Sequence, residues 1–136
     1  MMLNPNSFLD HLTIIDVITT PVSINATATA YTESFMLPKV SSADFAVIAK
    51  CSSGGTISVK FELEQSNSLP STEGASDTNY VIPDDVAAIF TLADANKHVK
   101  AFSPDVTKYG RFKITGTGSN AASTYVDSLV LNIAID

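Results

Sequence analysis

The stretch TISVKFELE, residues 56–64, places Ile57, Val59, Phe61 and Leu63 on one face and Ser58, Lys60, Glu62 and Glu64 on the other. A period of two is that of a strand with one buried side, whereas a helix would scatter these apolar residues around its axis. The predicted element is a half-buried antiparallel strand whose two acids point to solvent. Just before it, DFAVIAKC (44–51) reads as a strand buried on both faces. Between them Ser52-Ser53-Gly54-Gly55 reads as a tight turn, because glycine accepts the positive φ of hairpin turns. A hairpin across 44–64 is therefore expected.

The same alternation recurs outward from this point. In YGRFKITG (109–116) Phe112 and Ile114 oppose Arg111, Lys113 and Thr115, and the loop GTGSNAAS follows. In the closing stretch Leu129, Leu131, Ile133 and Ile135 alternate with Ser128, Val130, Asn132 and Ala134, which implies a C-terminal strand pinned in a sheet. Upstream, HLTIIDVITT (11–20) and ATATAYTESFML (26–37) suit strands. The second sets Tyr31, Phe35 and Leu37 on one side, with Glu33 of the same parity marking a bulge or an edge. Residues 84–102 admit two readings. Asp84 caps a short helix running to about Leu92, or AIFTL (88–92) pairs with HVKAF (98–102) as a hairpin through residues 93–97. Recurring β-branched and aromatic residues favour the hairpin. SNSLPSTEGASDTN (66–79) is a long polar loop. The expected organisation is an N-terminal arm, 1–10, and a single domain, 11–136. Its fold class is all-β: an antiparallel β-sandwich of about eight strands, jelly-roll-like.

Composition narrows the function. Charged residues make up 16% of the 136, well below the roughly 25% of an average soluble domain, and about thirty Ser and Thr fill the difference. Such a surface suits either pleated strands and turns or a protein partly covered by other subunits. The net charge is −6, and the eight basic residues are scattered. Nucleic acid, which needs clustered Lys and Arg, is excluded as a partner. The tightest basic group, Lys108, Arg111 and Lys113, reads as the solvent side of one strand. No apolar run approaches the ~20 residues of a membrane helix, so no membrane partner is expected. The single cysteine, Cys51, ends a buried strand and reads as an inert core thiol. The N-terminus lacks a basic segment followed by an apolar one, so synthesis in the cytoplasm is expected.

The chemistry-bearing residues form no recognisable catalytic pattern. His11 and His98 open predicted strands away from any nucleophile motif. Glu62 and Glu64 share one strand face, so paired-carboxylate hydrolysis would need a non-local partner. No phosphate-cradling glycine motif is present, and GTGS (116–119) lacks a following helix and lysine. Glu73, Asp77, Asn79, Asp84 and Asp85 supply oxygen ligands suited to calcium, but without the spacing of a dedicated calcium loop. Asn25-Ala26-Thr27 matches a glycosylation acceptor, read here as chance. With no Trp, Tyr31, Tyr80, Tyr109 and Tyr125 are the only candidate carbohydrate platforms. No catalytic, cofactor-binding or metal residues are assigned, and no cofactor is expected.

Two resemblances add to this. YGRFKITGTGSNAASTYVDSLVLNIAI (109–135) resembles the closing strands of galactose-binding-like jelly rolls, which run aromatic-x-Arg-apolar and return in a last strand; here Gly110 stands beside the aromatic. The polar N-terminal segment, the Ser/Thr/Ala-rich β pattern and the passage VKFELEQSNSLPSTEGASDTNYVIP (59–83) resemble small virion proteins of tailed phages, the capsid decoration and head-accessory class. That resemblance implies a non-enzymatic structural protein of the virion that oligomerises, a trimer among the candidates, and binds other capsid proteins. The other reading is a jelly-roll carbohydrate- or calcium-dependent binding module.

Overall fold

A computed structural model describes residues 3, 7–9, 12–84 and 88–135. The strands are β1 (Ser7–Leu9), β2 (Leu12–Ile18), β3 (Val22–Ser23), β4 (Thr29–Tyr31), β5 (Phe35–Met36), β6 (Asp44–Ser52), β7 (Val59–Ser66), β8 (Ile89–Leu92), β9 (His98–Phe102), β10 (Tyr109–Gly116) and β11 (Tyr125–Ala134). They form two antiparallel sheets. One runs β1-β2-β11-β6-β9 with β3 also on β11, and the other runs β4-β10-β7-β8 with β5 also on β10. When β1 and β3 are set aside and β4 with β5 counts as one interrupted strand, eight strands remain in the orders 1-8-3-6 and 2-7-4-5. That is the jelly-roll order, and it makes the chain an antiparallel β-sandwich.

The core lies between the sheets. Phe45, Val47, Ala49, Leu129, Leu131 and Ile133 from one sheet meet Phe35, Val59, Phe61, Leu63, Phe112 and Ile114 from the other, all at most 1% exposed. These are the alternate residues the sequence pattern selects, and burying each such side chain contributes roughly 1.5–3 kcal/mol.

Several local expectations are corrected. The strands of the expected 44–64 hairpin do not pair: β6 lies between β11 and β9, and β7 between β10 and β8. Residues 53–58 arch from one sheet to the other, with Ile57 buried beneath them. Neither Gly54 nor Gly55 has a positive φ. They are small because a Cβ would lie 3.0 Å from Ser123 Oγ and 3.3 Å from Ala121 Cβ, respectively. The 88–102 segment is likewise two strands in different sheets, since β8 pairs with β7 and β9 with β6. Over 89–92 the capped helix is replaced by β8, and residues 85–87 lie outside the described residues. By crossing the core β6 and β7 each gain two neighbours, whereas β8 and β9 extend the two sheets as edge strands.

β6 is not buried on both sides. Phe45, Val47, Ala49 and Cys51 are inside, while Ala46, Ile48 and Lys50 are half-exposed on an outer face. Tyr31 and Phe35 do not share a side either. Residues 32–34 break the strand, so Tyr31 faces out opposite Lys113 and Phe35 faces in opposite Gly110. Within the segment expected as an arm, Ser7–Leu9 pairs with β2 and the Leu3 amide donates to the Ser34 carbonyl. These residues lie against the domain.

Candidate functional site

The outer face of the β4-β10-β7-β8 sheet gathers most of the polar side chains expected on strands. Cross-strand register sets Tyr31, Lys113, Glu62 and Ile89 in one row and Thr29, Thr115, Lys60 and Thr91 in the next. The third row holds Arg111 opposite Glu64. The expectation that this face is open to solvent is overturned at its centre: Arg111 is 0% and Glu62 7% exposed.

The loop between β7 and β8 is the cause. It folds back over the Arg111 end of the sheet. The Arg111 guanidinium donates from Nε to Glu64 Oε1 (3.0 Å) and from Nη1 to the Ala75 carbonyl (2.6 Å). It is stacked between the rings of Tyr31 and Tyr80, at 4.5 and 4.4 Å from their centroids. An arginine can serve all these partners because its planar fork donates at the edge and stacks on its faces. Burial pushes the Glu64 carboxyl above its ordinary range, and the Arg111 bond only partly offsets this. Burial also pushes the Tyr80 hydroxyl up to about 12. Among the described residues Arg111 Nη2, Tyr80 Oη and Thr115 Oγ1 are buried without a hydrogen-bond partner.

The residues considered for calcium serve the same loop. Glu73 accepts from Ser34 N (3.0 Å) and Ser34 Oγ (2.5 Å). Asp77 accepts the amides of Ser71 and Asn79, which hold its carboxyl below the usual range. Asp84 is exposed. No three His, Cys, Asp or Glu side chains converge among the described residues. Glu73 and Asp77 thus serve as loop braces, and Asp85, the last of the candidate ligands, lies outside the described residues.

Of the four tyrosines, Tyr31 alone combines partial exposure with a place on this face. Tyr80 and Tyr109 are buried, and Tyr125 is exposed on the other sheet. His98 Nε2, at the start of β9 in the other sheet, sits 2.7 Å from Asp94 Oδ1 in the β8–β9 connection, and His11 lies outside the described residues. Cys51 is fully buried, with its thiol pushed up to about 12 by burial and then by Asp127. Native protein at pH 8 is therefore expected to resist a thiol reagent such as DTNB until denaturant is added. Reaction within minutes of mixing would contradict the packing described.

Arg111 as a buried hub had no periodic signal, since strand parity puts it outside and only a loop of irregular sequence covers it. The hint available was compositional: an arginine with acids and tyrosines at matching parity on neighbouring segments.

No protein-family model and no curated sequence matches the chain. Solved structures with a similar course of chain include carbohydrate-binding modules. One is a CBM36 module in complex with calcium and xylotriose, 12% identical, covering 87% of this chain and 97% of that one, with a TM-score of 0.46. Another is the CBM36-1 domain of a multidomain xylanase from the hindgut metagenome of Trinervitermes trinervoides, at 10% identity, 92% and 98% coverage and a TM-score of 0.46. A CBM4 structure is 8% identical, with 97% and 77% coverage and a TM-score of 0.41. These neighbours leave the ligand of this chain to be read from its own side chains.

Proposed function

We propose that the chain is a non-catalytic binding unit that takes a neutral, hydroxyl-rich chain, a carbohydrate, across the outer face of the β4-β10-β7-β8 sheet. The observation that carries this is the charge pairing across β10 and β7, where Arg111 faces Glu64 and Lys113 faces Glu62, with Lys60 a further 3.5 Å from Glu62. The face nearly balances its own charge, three cations against two carboxylates, and keeps donors and acceptors side by side. A polyanion or polycation gains little net field there, whereas a sugar hydroxyl, both donor and acceptor, matches alternating Lys, Glu and Thr groups. Half-buried Tyr31 at one end of the row adds ring surface for the apolar side of a sugar.

Affinity electrophoresis against soluble xylan, mixed-linkage β-glucan and polygalacturonate tests the reading. Retardation by a neutral polysaccharide and none by the acidic one is expected. Tyr31→Ala and Glu62→Gln should each weaken the neutral interaction by about tenfold while leaving a cooperative melt. No retardation by either neutral polymer, or full retention in both variants, would count against this face.

A second reading, a non-enzymatic capsid decoration or accessory subunit of a phage particle, is favoured by a different observation. The outer face of the other sheet carries Ile48, Val130 and Val99 in one row, with Val99 67% exposed. Recovery of the chain in fixed copy number from purified virions, with no glycan binding, would select this reading.

A further inference from the structure

We propose that the outer face of the β2-β11-β6-β9 sheet is a two-fold self-association surface, on which β6 of one copy lies antiparallel over β6 of a second. The outward residues of β6 run Asp44, Ala46, Ile48 and Lys50. Laid face to face about a two-fold axis perpendicular to the strands and passing between Ala46 and Ile48, this series is complementary to itself. Asp44 meets Lys50 of the second copy, and Ala46 meets Ile48 of the second copy, each contact occurring twice; within its own copy Lys50 also lies 3.4 Å from Asp127 and Asp44 accepts from Ser103 Oγ at 2.6 Å, so the cross-copy pair adds to contacts that both residues already make.

The neighbouring strands obey the same operation. Register places Val99 beside Ile48 and Ala101 beside Ala46, so on β9 the large residue again meets a small one. On β11, Val130 lies beside Ile48 and Asn132 beside Ala46, and Ser128 beside Lys50 meets Ala134 beside Asp44. Alternating large and small side chains are what two sheet faces need to interdigitate at ~10 Å separation. Asp16 on β2, opposite Val130, falls at the margin of the contact.

Association edge to edge is disfavoured on the β9 side. Lys100 pairs with core-facing Val47 yet is itself exposed, an inward-parity charge of the kind that blunts edge strands. The outer face carries the self-complementary series instead. The outward positions number four each on β6 and β11, three on β2 and two on β9, at spacings of ~4.8 Å across the strands and ~6.8 Å along them, and cover roughly 400 Å² per copy. The total of roughly 850 Å² is that of a weak, reversible contact. This surface is independent of the carbohydrate face, which lies on the opposite side of the sandwich.

Sedimentation equilibrium from about 5 to about 500 μM measures it. Wild type is expected to pass from monomer to dimer across this range. Asp44→Lys, which sets Lys against Lys50, and Lys50→Glu, which sets Glu against Asp44, should each weaken the dimer at least about tenfold. The double variant restores opposite charges and should return to within about threefold of wild type, a recovery that misfolding of a single variant cannot produce. A wild type that stays monomeric throughout, a defined trimer, single variants that dimerise normally, or a double variant that fails to recover would each overturn the proposal.

Discussion

Replacing Arg111 by Ala is expected to lower unfolding free energy by about 3–5 kcal/mol, the usual cost of removing one partner from a buried ion pair. Three losses coincide. Glu64, already disfavoured by burial, is left without its cation, the Ala75 carbonyl loses its donor, and Tyr31 and Tyr80 lose the guanidinium between their rings. For a domain whose whole stability is of order 5–15 kcal/mol, this approaches the threshold of folding. Arg111→Lys should recover only a minor part, since an ammonium on a flexible stem does not reproduce a flat fork stacked on two rings. Glu64→Gln should cost less, about 2 kcal/mol, because the amide oxygen still accepts from Arg111 Nε although the fully buried guanidinium loses its counter-charge. Urea denaturation followed by tyrosine fluorescence reads all three. A loss below about 1 kcal/mol for Arg111→Ala would mean that the guanidinium does not hold the loop to the sheet.

Gly116→Ala is expected to be the second most damaging exchange, at about 3 kcal/mol, the upper end for overpacking a tight contact. A Cβ there would stand 2.2 Å from the Ala26 carbonyl oxygen and 2.9 Å from Asn120 Nδ2. The first neighbour is backbone and cannot rotate away. The second is committed, because Asn120 donates to the Ile24 carbonyl at 2.6 Å and accepts the Ser58 amide at 3.0 Å, tying three connections together at this end of the sandwich. Gly118→Ala is the control, with nothing within 4 Å of the added methyl. It should lie within about 0.5 kcal/mol of wild type. Equal melting temperatures for the two variants would contradict the close approach.

The architecture was legible because burial in a sandwich is periodic. The alternations at 56–64 and 128–135 appear as β7 and β11, with their apolar residues in the core. Pairing was not legible. Sequence neighbours β6 and β7, or β8 and β9, carry the same alternation whether they share a sheet or face each other across the core, and a six-residue connection serves either. The functional face was half legible: parity assigned Lys60, Glu62, Glu64, Arg111 and Lys113 to one side, but nothing local told that residues 67–80 would close over Arg111. The acids of that loop suggested ligands for a cation, since an Asx turn and a metal ligand use the same oxygens. The doubling of apolar residues in DFAVIAKC suggests burial on both faces, whereas its outer half is a half-exposed series that complements itself.

The phage-particle reading and the carbohydrate reading place the working surface on opposite sheets, so mapping a ligand onto residues decides between them. The most direct measurement is a 15N NMR titration of the full chain with a neutral oligosaccharide selected by electrophoresis, held below the dimer range. Saturable shifts are predicted for the amides of Tyr31, Lys60, Glu62, Lys113 and Thr115, with Ala46, Ile48, Val99 and Val130 unmoved. Shifts confined to the second set, or none at saturating sugar, would contradict a carbohydrate site on the β4-β10-β7-β8 face.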